Sequence, residues 1–308
     1  MSGLTLSVPD AGLLAALEPL SDGVRGAVWD LLTPPPVGTI DLVVPPYLGD
    51  WRQRLPAVAA VAPRLVQSQL LGYDGVAAVL PPGVPFANAV GVHEPSTAEL
   101  AVGLLLASLR RIDDYVRQAA AGGPQVPALG TSLADRRVLL LGVGGVGTAI
   151  ARRLAPFETE VIRVGRTART DADGPVHGMA ELPGLLPDAE VVVLALPLDG
   201  TTTHLVDRAF LAAMRDGALL VNVGRGGLVD TDALVEATAD GRIRAALDVT
   251  EPEPLPAGHP LLASPHVLVV PHVGGASTAM RPRLVALIRA QAERLLRSEP
   301  PAHVVLGG

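Results

Sequence analysis

Cysteine and lysine are absent from this chain of 308 residues, and aromatic residues make up only 3% of it. Without cysteine the chain can form no disulfide, no thiolate metal site and no cysteine nucleophile. Because lysine is missing, all 24 basic residues are arginines, which we interpret as a bias of genome composition rather than of function. The chain is 49% hydrophobic, so the shortage of aromatic residues predicts a core of valine, leucine and alanine.

Positive charge is also scarce. The net charge of −7 at pH 7 and the isoelectric point near 5.5 argue against a nucleic-acid-binding surface. The N-terminal segment has no basic region before an apolar stretch, so no secretory signal is expected. The longest uncharged stretch, Gly75–Val92, contains Pro81, Pro82 and Pro85 and would make a poor membrane helix. A cytoplasmic protein is therefore expected.

The length is sufficient for two domains, and glycine and proline punctuate the chain throughout. Before residue 95 the sequence predicts short strands at Thr5–Val8, Ile40–Val44 and Leu65–Gln67, and helices at Asp10–Leu20 and Trp51–Val61. From residue 138 onward strands and helices alternate regularly, with strands at Val138–Leu141, Glu160–Val164, Val191–Leu196, Ala218–Val223, Ala245–Val249 and Val267–Val270. Apolar strands that alternate with helices predict a parallel sheet covered on both faces.

A long helix is predicted at residues 96–118. Ser96 and Glu99 have the spacing of a capping box, and apolar residues from Leu100 to Val116 follow at helical intervals. Its broad apolar stripe fits a brace between domains, part of a subunit interface, or a helix buried within one monomer. A last helix, Arg283–Leu296, is expected to pack back onto the first domain.

The stretch Val138–Gly147 reads VLLLGVGGVG, a strand that opens into the spacing G-x-G-x-x-G. In a dinucleotide-binding turn, the first glycine permits the turn, the second admits the pyrophosphate and the third allows the helix to pack on the strand. The predicted helix Thr148–Pro156 would then present its unpaired N–H groups to the phosphates. By itself the pattern also fits a tight turn without a ligand, but the strands around it favour the dinucleotide site.

Reactive side chains follow the last three predicted strands. Arg225 follows the fourth strand of this series, Glu251 and Glu253 follow the fifth, and His272 follows the sixth. Ligands of open α/β sheets bind outside the carboxyl ends of the strands, so these residues are expected on the edge that carries the glycine loop. Taken one at a time, they also fit a solvated arginine, a loop carboxylate and a half-buried histidine.

The motifs now resemble those of the D-isomer-specific 2-hydroxyacid dehydrogenases over nearly the whole chain. The resemblance rests on GVGGVG at Gly142–Gly147, VVVLALPL at Val191–Leu198, VNVGRGGLVD at Val221–Asp230, ALDVTEPEPL at Ala246–Leu255, VPHVGGAS at Val270–Ser277 and the helix STAELAVGLLLASLRR. It implies an α/β protein with two doubly wound parallel sheets. A central Rossmann nucleotide domain would span residues 96–275, including an interdomain helix at 96–118. A smaller flavodoxin-like substrate domain would combine residues 1–95 with 276–308, and the protein would be a homodimer.

The resemblance further implies hydride transfer between NAD(P)H and a small 2-oxo or 2-hydroxy acid, such as glyoxylate or hydroxypyruvate. Arg225 would bind the substrate carboxylate and polarise the 2-oxo group. His272 would act as the acid/base, and Glu253, rather than Glu251, would be the carboxylate that pairs with it and favours its imidazolium form. Leu71 and Gly72 would hold the substrate carboxylate through backbone N–H groups.

The expected cofactor contacts come from the glycine loop, the end of the next strand and the later motifs, and no metal is expected. They are Gly142, Gly144, Gly145, Val146, Gly147, Arg166, Arg169, Pro197, Val223, Asp248 and Gly274.

Two departures from the family pattern bear on specificity. NAD-preferring members end the second strand with an acidic residue, whereas this chain has Gly165 there, followed by Arg166 and Arg169. Loss of the acid and gain of arginine predict a preference for NADP(H), unless both arginines are merely solvated. Gly145 stands where many relatives have a longer side chain, often a basic one. The connector at residues 121–130 lacks the tryptophan of many relatives, which leaves the identity of the 2-oxo acid open.

Other functions fit the same pattern less well. A phosphite or formate oxidase on this scaffold is possible, but formate enzymes have glutamine at the position of Glu253. An NAD(P)-sensing protein that resembles a corepressor is the alternative from a different class, and turnover distinguishes it from an enzyme. His93, just before the long helix, could face the cleft between the domains, but the interpretation as a surface histidine at the start of a helix is favoured.

Overall fold

The computed structural model describes residues 3–307, in which the chain divides into two compact units. Unit 1 comprises Met1–His93 and Thr278–Gly308, and unit 2 comprises Glu94–Ser277. The strands are β1 Leu4–Val8, β2 Val24–Val28, β3 Leu42–Val43, β4 Leu65–Gln67, β5 Phe86–Ala87, β6 Arg137–Leu141, β7 Glu160–Gly165, β8 Arg169–Asp171, β9 Gly174–Gly178, β10 Val191–Leu194, β11 Leu219–Asn222, β12 Arg244–Leu247, β13 Val267–Val269 and β14 Val304–Leu306. The helices are α1 Ala11–Ala16, α2 Trp51–Arg54, α3 Glu94–Leu109, α4 Ile112–Ala120, α5 Gly145–Leu154, α6 Leu182–Leu185, α7 Arg208–Ala213, α8 Thr231–Thr238, α9 Pro260–Ala263 and α10 Met280–Leu296.

Unit 1 is built on a sheet with the order β14-β5-β4-β3-β1-β2. Its strands pair in parallel except for β14, which runs antiparallel to β5. Neighbouring residues of β4 pack on opposite faces of this sheet. Leu65 packs with α1 and α10 on one face, whereas Val66 packs with Trp51 on the other. The order β2-β1-β3-β4-β5 is flavodoxin-like, and α10 returns to this unit as expected.

Unit 2 has a larger sheet with the order β13-β12-β11-β10-β6-β7-β9-β8. From β13 to β9 all pairs are parallel, and β8 and β9 form an antiparallel hairpin at the edge. Leu139 faces the core beneath α7 and α8, whereas Leu140 faces the core beneath α3 and α5. Both faces are therefore covered, and the predicted α/β fold of two doubly wound sheets is confirmed.

Five strands were not predicted from the sequence: β2, β5, β8, β9 and β14. Each is short or lies at or near a sheet edge, and β2, β8 and β9 contain polar residues or glycine in place of an apolar run. The predicted helix at 51–61 is also wrong beyond Arg54. There the chain continues as a 3₁₀-helix, Leu55–Ala60, whose second residue is Pro56 and therefore has no N–H to donate.

The prediction of one continuous helix at residues 96–118 is wrong. The helix α3 begins at Glu94, two residues before the expected cap Ser96, and Arg111 then adopts a left-handed conformation with φ of 57° that separates α3 from α4. Ile112 and Val116, expected on the buried stripe, are exposed. Helix α3 is buried against α5 and the sheet of unit 2 through residues such as Ala98 and Leu105.

A cluster of charged groups anchors the start of α4 to the sheet. The side chains of Asp113 and Asp114 are only 3% and 10% exposed, and both carboxylates contact the guanidinium of Arg244 on β12. Asp114 also accepts hydrogen bonds from Arg111 and Arg117. Burial by itself would raise the pKa of Asp114, but the hydrogen bonds and the charges of the arginines together hold it below its usual value.

Replacing Asp114 by asparagine is therefore expected to lower the free energy of unfolding by about 1–3 kcal/mol at pH 7. Because folding lowers the pKa of this carboxyl, its contribution is complete at neutral pH and is lost as the pH falls below about 4. Urea unfolding of both proteins at pH 7 and near pH 3.5 measures the difference. Asp188→Asn, at a carboxylate that is 69% exposed, is the control. A deficit of the same size at both pH values would contradict the prediction.

In residues 3–307 no helix is long and apolar enough to cross a membrane. Within the same range, no group of three or more acidic or histidine side chains is placed to hold a metal ion.

Candidate active site

The glycine loop between β6 and α5 requires glycine at two positions for steric reasons. Gly142 has a φ of 112°, and a Cβ there would lie 2.3 Å from the carbonyl oxygen of Ala195. A Cβ on Gly147 would lie 1.9 Å from the carbonyl oxygen of Gly142. The first approach holds the turn against the segment that follows β10, and the second holds α5 tightly against the end of β6.

The N-terminus of α5 is open to a ligand. Its N-cap, Gly144, offers no side chain to the first N–H groups, and a Cβ on Gly144 would meet nothing within 4 Å. Gly144 and Gly145 are exposed, and Val146 is half-buried. An uncapped helix start behind a glycine turn fits the pyrophosphate of a dinucleotide, whose charge the free N–H groups and the helix dipole would stabilise.

Gly145 has a neighbour that the sequence did not reveal. A Cβ at this position would lie 3.0 Å from both Cγ and Oε1 of Glu94, which is buried at the start of α3. A long side chain at residue 145 would therefore displace Glu94. This contact explains in physical terms why glycine stands where many relatives carry a larger residue.

An acidic residue in place of Gly165, at the end of β7, would crowd the side chains around it. A Cβ on Gly165 would lie 3.0 Å from Cγ2 of Val143 and 3.1 Å from both Nη1 of Arg169 and Cγ1 of Val176. Arg166 is 80% exposed, and its Nη2 lies 3.1 Å from Oδ2 of Asp199 in the turn after β10. The sequence gives no sign of Asp199, because the contact joins loops that follow different strands.

Arg225 lies in the loop after β11, which is held close to the loop after β12. Its Nη1 donates to the carbonyl of Gly224 at 2.7 Å, and its own carbonyl accepts from Nδ2 of Asn222 at 2.9 Å. A Cβ on Gly226 would lie 1.9 Å from the carbonyl oxygen of Thr250, so glycine is required there. The backbone around the half-buried Arg225 is thus fixed from both sides.

His272 and Glu253 are in direct contact. Nδ1 of His272 lies 2.5 Å from Oε1 of Glu253, and the two side chains are 48% and 40% exposed. His272 has a φ of 52°, and its N–H donates to the backbone carbonyl of Asp248 at 2.8 Å. With Nδ1 engaged by Glu253, Nε2 is the ring nitrogen that can meet a substrate.

Asp248, whose contact with the cofactor stays a prediction, binds the turn that carries His272. Its Oδ1 accepts from the N–H of Val273 at 2.7 Å, and its Oδ2 accepts from the N–H of Gly274 at 3.0 Å. Burial raises the pKa of this carboxyl despite the two hydrogen bonds. A Cβ on Gly274 would lie 2.7 Å from Oδ2, so this glycine lets the turn close over the carboxylate.

Glu251 contacts a different histidine from Glu253. Its Oε2 lies 2.7 Å from Nε2 of His204, in the loop before α7, and its carbonyl accepts from Oγ1 of Thr231 at 2.5 Å. The two glutamates of the Glu-Pro-Glu-Pro sequence therefore form two separate pairs. His272 follows β13, so the pair of Glu253 and His272 is the one that includes the candidate acid/base.

Two of the predicted cofactor contacts lie on neighbouring strand ends. Pro197 follows β10, and its carbonyl accepts from Oγ1 of Thr202 at 2.8 Å. Val223 follows β11, is buried, and donates its N–H to the carbonyl of Leu194 at 3.2 Å. Both are at the carboxyl edge of the sheet of unit 2, as are the glycine loop, Arg225 and His272.

Leu71 and Gly72 belong to unit 1, in the loop after β4. The carbonyl of Leu71 accepts from Nδ2 of Asn88 at 2.9 Å. At the same edge of this sheet, a cavity of about 420 Å³ is lined by Asp10, Tyr47 and Gln69, which follow β1, β3 and β4. This edge includes the reversal of strand order between β1 and β3, where ligands of such sheets bind.

The interpretation of His93 as a surface residue is wrong. His93 is buried, its Nε2 lies 2.7 Å from the carbonyl oxygen of Gln69, and its ring stacks on Tyr47 with the centroids 5.9 Å apart. The sequence indicated only that a helix begins nearby.

A family model described as "D-isomer specific 2-hydroxyacid dehydrogenase, NAD binding domain" matches residues 102–274, more than half of the chain. The chain belongs to this family. As a member, it is an oxidoreductase with an NAD-binding domain, which confirms the family and the enzyme class predicted from the sequence motifs. The residues that the family model matches include the glycine loop, Arg225, Glu253 and His272.

Named relatives and solved structures extend the similarity over most of this dehydrogenase. It is 30% identical to a glyoxylate reductase of Aeropyrum pernix over 94% of this chain and 92% of that protein. It is 32% identical to the human glyoxylate reductase/hydroxypyruvate reductase over 77% and 75% of the two chains. A family member from Xanthobacter autotrophicus, crystallised with NADPH and MES, is 30% identical with a TM-score of 0.80 over 100% of this chain and 99% of that one. An NADPH-dependent glyoxylate/hydroxypyruvate reductase from Sinorhizobium meliloti, crystallised with citrate, is 28% identical with a TM-score of 0.80 over 99% and 98%.

Proposed function

We propose that this dehydrogenase reduces glyoxylate, hydroxypyruvate or a closely related small 2-oxo acid, with NADPH as its preferred cofactor. The observation that carries the proposal is the contact between His272 and Glu253, on the strand edge that also carries Arg225 and the open N-terminus of α5. The relatives named as glyoxylate or hydroxypyruvate reductases support this class of substrate.

The roles of the side chains follow from their chemistry. A bound nicotinamide supplies the hydride that reaches C2 of the 2-oxo acid. Arg225 pairs its guanidinium with the carboxylate of the substrate and polarises the 2-oxo group. Nε2 of protonated His272 gives its proton to the oxygen on C2, while Glu253 holds the ring through Nδ1. For unit 1, the role of the backbone N–H groups of Leu71 and Gly72 in binding a substrate carboxylate stays a prediction.

The proposed cofactor preference rests on the end of β7. Gly165 offers no carboxylate to accept hydrogen bonds from the ribose of NAD, and a side chain there would crowd Val143, Arg169 and Val176. The exposed guanidinium of Arg166 stands next to this position and can pair with a 2′-phosphate. The family member from Xanthobacter autotrophicus that was crystallised with NADPH supports the same preference.

The preference is tested by steady-state kinetics with both cofactors. We expect kcat/KM to be at least about ten-fold higher with NADPH than with NADH, because a charge-assisted hydrogen bond contributes about 1.5–3 kcal/mol. The substrates are a panel of 2-oxo acids that includes glyoxylate and hydroxypyruvate, and the loss of NADPH absorbance is the readout. A clear preference for NADH would contradict the cofactor assignment. Cofactor binding without turnover of any acid would favour the alternative, a nucleotide-sensing protein.

A homodimer and a cytoplasmic location stay predictions. The apolar side chains that a partner subunit would cover are Ile112 and Val116 on α4 together with Val126 and Leu129 in the following segment, all of which are exposed.

A further inference from the structure

An ion pair joins the loops on the two sides of the glycine loop. Arg166 follows β7 directly, and Asp199 lies in the turn after β10. Nη2 of Arg166 and Oδ2 of Asp199 are 3.1 Å apart. Neither side chain takes part in the proposed reduction of the 2-oxo acid. Arg166 is assigned only to binding of the 2′-phosphate of the cofactor.

The position of the ion pair follows from the sheet. Strands β7 and β10 pair with opposite edges of β6, so they are about 10 Å apart. Loops that follow them can bring their side chains together only by reaching across the carboxyl end of β6, next to Gly142. In sheets of this order the dinucleotide lies outside that end, so the ion pair spans the entrance that the adenosine half would use.

The two partners differ in how firmly they are held. Oδ1 of Asp199 accepts from both N and Oγ1 of Thr201, at 2.8 Å and 2.6 Å, and the backbone carbonyl of Asp199 accepts from Oγ1 of Thr203. The hydrogen bonds from Thr201 and the charge of Arg166 lower the pKa of Asp199, which keeps its carboxylate ionised at neutral pH. Arg166, by contrast, is 80% exposed on a long side chain. Asp199 is the fixed anion and Arg166 is the partner free to move.

We propose that Asp199 is a specificity-determining residue for the cofactor, because its carboxylate competes with the 2′-phosphate of a dinucleotide for the guanidinium of Arg166. This inference rests on the proposed preference for NADPH and deepens it. A 2′-phosphate carries about 1.5–2 negative charges and can replace the carboxylate as the partner of Arg166. A dinucleotide without that phosphate offers no such replacement.

The proposal explains how two opposed groups set one preference. Arg166 favours the phosphorylated cofactor, whereas Asp199 occupies the guanidinium of Arg166 and neutralises part of its charge. Removing Asp199 is therefore expected to increase discrimination against NADH. Removing Arg166 is expected to remove most of the discrimination and, with it, the influence of Asp199, which acts through Arg166.

The test is calorimetric titration of the full chain with adenosine 2′,5′-bisphosphate and with 5′-AMP, probes that require no turnover. Asp199→Asn keeps an oxygen for the Thr201 hydrogen bonds and removes the charge. We expect it to bind adenosine 2′,5′-bisphosphate about three-fold more tightly and 5′-AMP equally, the scale of an exposed ion pair. In the Arg166→Gln background the same change should have no effect. Raising the ionic strength should reduce the increase in affinity that Asp199→Asn causes for the bisphosphate, since salt screens exposed charges.

Asp216→Asn is the matched control. It removes one negative charge from a carboxylate that is 86% exposed. Asp216 precedes β11 and therefore lies at the amino ends of the strands, opposite the carboxyl ends where Asp199 lies. If Asp199→Asn and Asp216→Asn increased the affinity for adenosine 2′,5′-bisphosphate equally, the effect would come from net charge alone and the proposal would be overturned. Unchanged or weaker binding of the bisphosphate by Asp199→Asn would also overturn it. The calorimetric measurement of binding does not require catalysis. If the enzyme reduced none of the 2-oxo acids, the proposed function would be contradicted, but the effect of Asp199→Asn on binding of the bisphosphate would still be valid.

Discussion

Replacing His272 by asparagine is expected to lower kcat for reduction of the 2-oxo acid by about 10²- to 10⁴-fold, the usual contribution of a positioned general acid. The oxygen on C2 would then have to take its proton from water as the hydride arrives. Asparagine is preferred to alanine because His272 has a φ of 52°, a region that asparagine tolerates well. Stopped-flow and steady-state rates with saturating NADPH measure the loss.

The chain offers a closely matched control in His204→Asn. His204 also has a positive φ, of 49°, and also contacts a glutamate of the Glu-Pro-Glu-Pro loop, since its Nε2 lies 2.7 Å from Glu251. This variant is expected to stay within about three-fold of the wild-type rate, as surface changes away from a site usually have small effects. Equal losses in both variants would assign the effect to the loop and contradict a proton-transfer role for His272.

The larger sheet could be predicted from sequence because its central strands are uninterrupted apolar runs. Val191–Leu194 and Leu219–Asn222 lie inside the predicted ranges and are fully buried, as strands covered on both faces must be. The hairpin β8–β9 could not be predicted in this way, because Arg169–Asp171 is polar and pairs only at the edge of the sheet. The apolar pattern therefore identified the longer buried strands. It missed the polar strands at the edge of the sheet and also the two-residue strand β5, although Phe86 and Ala87 are buried.

The break at Arg111 shows a second limit. No proline or glycine marks it, and the apolar spacing continues through Ile112 and Val116 as if the helix were unbroken. What distinguishes α4 is the contact of Asp113 and Asp114 with Arg244, which lies far along the chain on β12. A contact between such distant residues has no signature in a local window.

In the site, strand ends were predictable and side-chain partners were not. The rule that ligands meet the carboxyl edge led to Arg225 and His272, since each follows a recognisable strand. The choice between Glu251 and Glu253 needed the family resemblance, and their contacts with different histidines appear only in three dimensions. The contacts of Glu94 with Gly145 and of Asp199 with Arg166 likewise depend on how loops meet around β6.

Replacing Arg225 by glutamine is expected to lower kcat/KM for the 2-oxo acid by about 10²- to 10³-fold, the scale reported for loss of one donor aimed at developing negative charge. Glutamine is planar and polar but carries neither the charge nor the forked donors that pair with a carboxylate. The loop should keep its conformation, because it is fixed by Asn222 at the carbonyl of residue 225 and by the close approach of Gly226 to Thr250. Binding of adenosine 2′,5′-bisphosphate should therefore be unchanged.

Arg225→Lys decides whether charge alone is sufficient. Lysine keeps the charge but offers a single ammonium instead of two parallel N–H donors, so only part of the lost activity is expected to return. Arg208→Gln is the control, since Arg208 is 68% exposed and pairs with Glu236 on α8, away from the carboxyl edge. If lysine restored full activity, Arg225 would act as a point charge and not as a bidentate clamp. If Arg225→Gln lowered kcat/KM no more than Arg208→Gln does, Arg225 would not be the residue that binds the carboxylate of the substrate.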